Sequence, residues 1–239
     1  MKTNRPAPRA LATQIGIAAA LAAALCLVPI ASAGGAAKSR TCFGRHPTIL
    51  GTQHSDSIRG TSGVDVIISF GGNDHIRSRQ GNDYVCAGPG DDVVHGAEDV
   101  NHMNGGPGKD WLDGRRGPGN VSIGSRGNDL IQAEGRDEGG PGNDTIQNFG
   151  YLNPSQSPFA DVTNGGAGRD KISGGPNAEL LIGGGDGDRI FAGDGNDRLK
   201  GKAGNDKLHG ELGDDDINGG SGTDVCDQGP GTGTLTGCP

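Results

Sequence analysis

The sequence predicts an all-β fold of flat coils, each a short strand and a turn, stacked one on the next. Three observations predict it. Between Gly183 and Asn218 the chain divides into four nines, GGGDGDRIF, AGDGNDRLK, GKAGNDKLH and GELGDDDIN. Each nine opens on a Gly-rich turn, carries an aspartate sixth (Asp188, Asp197, Asp206, Asp215) and an aliphatic residue eighth (Ile190, Leu199, Leu208, Ile217). That period matches neither the helical repeat nor the simple alternation of a strand. The third observation is composition: 48 Gly, 3% aromatic and 31% hydrophobic residues are too little for an ordinary globular core. Without a ligand such a chain lies near the disordered class.

The turn suggests the ligand. Glycines accept positive φ and leave their carbonyls exposed, so the chain can wrap tightly around an ion. One carboxylate and several carbonyls per turn make a flexible all-oxygen site. This suits Ca²⁺ better than Mg²⁺, which demands a tight octahedron, or zinc, which prefers nitrogen and sulfur. Repeats such as GKAGNDKLH resemble the hemolysin-type (RTX) calcium-binding nonapeptide, GGxGxDxUx. The resemblance implies a parallel β-roll, a β-solenoid with calcium in its turns.

Residues 1–33 read as an export signal. Lys2, Arg5 and Arg9 precede an apolar run from Leu11 to Ile30, and Ala31-Ser32-Ala33 forms an A-x-A cleavage site. Cys26 falls in the discarded part, and no other stretch is long and apolar enough to span a membrane. Losing those three positive charges takes the net charge from −8 to −11. A basic nucleic-acid surface is therefore not implied. Residues 34–50 read as an N-terminal cap segment.

The first repeat block runs from 51 to 122. Its sixth positions are Asp56, Asp65, Asp74, Asp83, Asp92, Asn101 and Asp110, with Gly119 failing. Its eighth positions, Ile58, Ile67, Ile76, Val85, Val94, Met103, Leu112 and Val121, are apolar throughout. Residues 123–164 break phase. GSRGNDLIQ, with Asp129, comes one residue late, and GGPGNDTIQ, with Asp144, follows an apparent insertion from Ala133 to Glu138. Asn148 to Asn164 lacks the signature and holds Phe149, Tyr151 and Phe159. This stretch is expected to be a seam, in which Asp144 shares at most one good site. The second block, 165–236, has Asp170, Glu179, Asp188, Asp197, Asp206, Asp215 and Asp224 sixth, then Gly233. Residues 237–239 are a tail.

In the RTX family two nonapeptides make one full coil, and calcium lies between repeats two apart. The resemblance thus assigns metal ligation to Asp56, Asp74, Asp92 and Asp110 along one side and to Asp65 and Asp83 along the other. It assigns Asp170, Asp188, Asp206 and Asp224, with Asp197 and Asp215, likewise. Asp129 and Asp144 join them from the middle. These pairs imply about eight interturn calcium ions, the middle repeats uncounted.

Seventh and ninth positions should point outward. Val66, Ile68, Tyr84 and Cys86 then form an outer apolar patch, and Thr41 to Leu50 supplies Cys42, Phe43, Ile49 and Leu50 to cover it. Four mature cysteines in an exported chain imply two disulfides. Of three pairings, proximity selects Cys42–Cys86 at one end and Cys226–Cys238 at the other.

No paired-His or Ser/His/Asp arrangement emerges from the spacing, and the repeats leave no room for a catalytic domain. The expected function is a secreted, non-enzymatic calcium-binding β-roll that folds on binding its ions. The alternative is a calcium-dependent cell-surface adhesin or glycan-binding protein. It would use residues 148–164 or the basic residues Arg169, Lys171, Arg189, Arg198, Lys200, Lys202 and Lys207, which could meet an acidic polysaccharide.

Overall fold

The computed structural model describes residues 40–115, 117–150 and 161–239. The expected leader lies outside them, as do Tyr151 and Phe159. The described chain winds into about ten coils. Strands alternate between an eleven-stranded and a ten-stranded sheet, every strand pairing with the next but one in sequence. All of these pairings are parallel, as in Leu199↔Ile217 and Ile190↔Leu208. Among the described residues no helix is long and apolar enough to cross a membrane.

Each strand sends its eighth-position side chain inward. In the ten-stranded sheet this column is apolar from end to end: Ile58, Ile76, Val94, Leu112, Ile131, Ile146, Ile172, Ile190, Leu208 and Cys226, in register. The core is therefore one aliphatic residue deep on each side, each contributing about 1.5–3 kcal/mol on burial.

The eleven-stranded sheet departs from the expected series. Met103 is followed in register by Ser122, not Val121, because the turn preceding Asn120 is one residue longer than its counterparts. Val121 is half-buried on the outside. Asn120, not Gly119, consequently fills the sixth position and accepts from Asn101 N–H at 2.7 Å. The inward column then continues Ser122, Asp137, Thr163, Leu181.

The apparent insertion at Ala133–Glu138 is a shortening. Strands Leu130–Ala133 and Gly135–Pro141 are joined by Glu134 alone, so Gly135 lies opposite Asn120, fifteen residues back rather than the usual eighteen. A Gly-rich loop has been replaced by a tight corner. The next coil is longer instead, Arg136 lying opposite Val162, twenty-six residues on.

Both ends are clamped. Cys42 is bridged to Cys86, and the cap it anchors buries Val66 and Ile68 beneath Phe43 and Phe70. Arg40 lies 4.9 Å over the Phe70 ring and Arg45 4.1 Å over Tyr84. Ile49–Leu50, expected as part of the cap, is instead the first strand of the eleven-stranded sheet, paired with Ile67 and Ile68. At the far end Cys226 is bridged to Cys238, and both pack against the core.

Candidate metal centre

The aspartates form two columns, one at each corner of the coil. In the first, Asp56, Asp74, Asp92, Asp110, Asp129, Asp144, Asp170, Asp188, Asp206 and Asp224 follow one another without a break. Each backbone N–H donates to the Oδ1 of the next aspartate at 2.7–2.9 Å. The expected seam does not interrupt this column. Asp144 accepts from Asp129 and donates to Asp170, both at 2.8 Å, because length changes in the middle are absorbed at the opposite corner.

That opposite corner carries the broken column. Asp65 leads to Asp83, Asn101 and Asn120; Gly135 and then Asp161 hold the next two places, and Glu179 leads to Asp197 and Asp215. Glu179 turns back on its own loop, accepting from Gly175 and Asn177 N–H at 3.2 and 3.3 Å.

With Oδ1 committed to the ladder, Oδ2 is the atom left for a ligand. At Asp74, Asp83, Asp92, Asp110, Asp129, Asp144, Asp170, Asp188, Asp197, Asp206, Asp215 and Asp224 it is buried and has no hydrogen-bond partner. Twelve orphaned carboxylate oxygens are too many for a folded protein unless something else meets them. A Cβ added at Gly201 would overlap both Asp206 Oδ2 and the Gly219 carbonyl, and one at Gly165 both Asp170 Oδ2 and the Gly183 carbonyl. Carboxylate and carbonyl thus converge on a space that only glycine leaves open. This all-oxygen donor set fits a hard cation of calcium's flexible coordination. Among the described residues no group of three His, Cys, Asp or Glu side chains comes together, so oxygens other than carboxylates would complete a site, and the carbonyls at Gly219 and Gly183 are placed to do so.

Asp56 and Asp65 differ. Their Oδ2 atoms accept from the N–H of Thr52 and of Thr61, at 2.6 Å in each case, and from the same threonines' hydroxyls at 3.0 Å. Threonine replaces the second glycine in these two turns and satisfies the carboxylate without an ion, so the donor-set argument rests on the other twelve.

Burial is the chief cause that pushes these carboxyls up, to about 6 for Asp92, about 7 for Asp144 and Asp188, and about 8 for Asp110. Neighbouring carboxylates add to the rise and the ladder bonds oppose it. Without a cation, a group so raised holds its proton more tightly folded than unfolded. The stability it contributes is complete below the unfolded value of about 4 and is lost as pH rises through the folded values. Calcium-free protein should therefore gain strand signal as pH falls from 8 to 5. A circular dichroism spectrum that is flat over that range would contradict the sign.

A third ladder escaped the sequence reading. Fifth-position Asn and Asp side chains accept backbone N–H groups of the next coil, as Asn143 does from Arg169 at 2.7 Å and Asn205 from Thr223 at 2.9 Å. The signal was the recurrence of Asn or Asp immediately before the sixth-position acid.

Fold and site together define the class: a parallel β-roll whose turns converge oxygen ligands on cation-sized gaps. The RTX calcium-binding nonapeptide repeat matches the chain in four copies, over residues 50–85, 87–121, 157–190 and 191–226. The chain belongs to this calcium-binding family. A comparison with curated proteins gives no match. The matched copies omit 122–156, yet the first column passes through that stretch at Asp129 and Asp144.

Proposed function

We propose that the protein is a secreted, non-catalytic β-roll whose folding is driven by calcium held at the twelve aspartates with orphaned Oδ2 atoms. The observation that carries this reading is the continuous first column, in which every coil beyond the first presents one buried, unpartnered carboxylate oxygen. Bound calcium supplies the positive charge that lets these carboxylates stay ionised beside one another. The chain's own residues fix Oδ1 on the ladder, aim Oδ2 inward and keep side chains out of the gap. Where calcium is scarce, carboxylate repulsion and a core one residue deep leave the chain loose. The two disulfides fit an oxidising, extracellular setting. The mature protein is expected to be largely unstructured in chelator and β-rich on adding Ca²⁺, with Mg²⁺ a poor substitute. Equal strand content with and without chelator would sink the proposal.

A second reading, calcium-dependent binding of an anionic glycan, has its own support. Arg169, Lys171, Arg189 and Lys207 line a cleft of about 600 Å³, and none of them is ion-paired among the described residues. On the same outer face Phe191 and His209 stack at 4.9 Å with rings 4° from parallel, a platform suited to a sugar face. Glycan pull-down with and without calcium tests this. Capture unaffected by Arg189→Ala would reject the cleft.

A further inference from the structure

Each sheet of the roll stops at an edge strand on both sides. Ile49–Leu50 and Ser57–Arg59 are the edges at the N-terminal end, Thr234–Thr236 and Val225–Asp227 those at the C-terminal end. The Cys42–Cys86 cap covers Val66 and Ile68 on the outer face and leaves Ile49–Leu50 at the end of its sheet. Leu50 is 54% exposed at one end, Val225 55% and Leu235 47% at the other. Leu235 takes the inward place behind Ile217, so the last coil leaves core surface uncovered. Edges of this kind are templates for a further strand.

The two ends complement each other. Carrying the parallel register past the last coil onto the first coil of a second copy sets Leu235 opposite Ile49, Cys226 opposite Ile58 and Asp227 opposite Arg59. The aspartate ladder would continue across the same join. Asp206 N–H donates to Asp224, but among the described residues no later side chain accepts from Asp224 N–H. Asp56 N–H donates to Asp74, while Asp56 Oδ1 accepts from no earlier coil among the described residues. One end therefore carries the spare donor and the other the spare acceptor. Charge is divided in the same sense. Residues 208–239 hold six Asp and Glu and no Lys or Arg, whereas residues 40–59 hold three Arg and one Asp. Arg59 and Asp227 are both exposed; Arg59 has no ion-pair partner among the described residues, and Asp227 only His209, at 3.8 Å.

We infer that the folded roll associates head to tail with further copies of itself, the C-terminal coil of one seating on the N-terminal coil of the next. Two C-terminal ends would set acid against acid, so like ends do not pair. The join extends both sheets, buries Leu235 against Ile49 and places Asp227 of one copy beside Arg59 of the next. Such a contact joins different surfaces and leaves one of each free, so it propagates into open chains and does not close at a dimer.

Sedimentation of the whole exported chain in saturating calcium tests this. Average mass should rise steadily with concentration, without a plateau at two copies. Arg59→Asp and Asp227→Arg should each raise the concentration of half-association about tenfold or more, because like charges then face each other across the join. Their circular dichroism spectra should match that of the wild type. Mixed in equal amounts, the two variants should associate as the wild type does, since each offers the other an opposite charge at both joins. That recovery separates a broken join from a misfolded chain. Arg59→Gln, which only removes the charge, should weaken association by a smaller factor and keeps the test decisive if Arg59→Asp folds poorly. A wild type that stays monomeric, or that halts at the dimer, would overturn the inference. So would folded variants that associate as tightly as the wild type, or a mixture that fails to recover.

Discussion

Asp144→Ala is expected to raise the calcium midpoint of folding several-fold, as much as Asp206→Ala does. Position in the repeats argues otherwise, since Asp144 lies between a shortened corner and a stretch without the signature. The ladder decides. Asp144 accepts from Asp129 and donates to Asp170, as Asp206 accepts from Asp188 and donates to Asp224. Either alanine removes the one side-chain oxygen of a gap and strands the buried N–H of the preceding aspartate. A donor so stranded costs about 1–3 kcal/mol. Nearest-neighbour coupling then carries the damage into both adjoining coils and lowers the cooperativity of the titration. Asp56→Ala is the contrast, because Thr52 already meets its Oδ2. Calcium titrations of the three variants, followed by circular dichroism, decide the matter. If Asp144→Ala proves as mild as Asp56→Ala, the first column does not work as one unit.

Removing the Cys42–Cys86 bridge should be the most damaging change at either end of the roll. It closes 44 residues against 12 for Cys226–Cys238. On chain-entropy grounds the longer loop stabilises by about 4 kcal/mol and the shorter by about 3. The longer one also holds down the cap. Freed, Phe43 and its neighbours would uncover Val66 and Ile68, now 6% and 9% exposed. A Cys42→Ser/Cys86→Ser double variant should therefore melt lower than its Cys226→Ser/Cys238→Ser counterpart in saturating calcium, and should bind a hydrophobic dye. Equal melting temperatures would show that the cap contributes nothing beyond the covalent link.

Much of this architecture was legible because the period is short and strict. Eighth-position aliphatics name the core column of the ten-stranded sheet without error, and outward apolar residues at 66, 68 and 84 pointed to a covering segment. Legibility failed where one residue changes the face of a strand. Val121 and Ser122 are neighbours, and a turn one residue longer hands the inward place to the serine, a change invisible to a frame held fixed through Gly119. The six residues from Ala133 read as extra because the sequence shows what is added to a frame, not which loop has been dropped. The twelve open Oδ2 atoms could be listed from the repeat, but the exemption of Asp56 and Asp65 required seeing Thr52 and Thr61 fold onto them.

The latch between coils has a direction. Each aspartate of the first column from Asp74 to Asp206 holds, through Oδ1, the backbone of the coil before it and is itself held by the coil after it. A coil is therefore locked from its C-terminal side, by a residue that emerges later from any machine that threads the chain N-terminus first. Such a roll can be closed like a zip fastener, each arriving coil securing the one already laid down, with the Cys42–Cys86 clamp as the fixed end. Coils removed from the C-terminal end would leave every earlier latch engaged but the last. Coils removed from the other end would take the anchor with them.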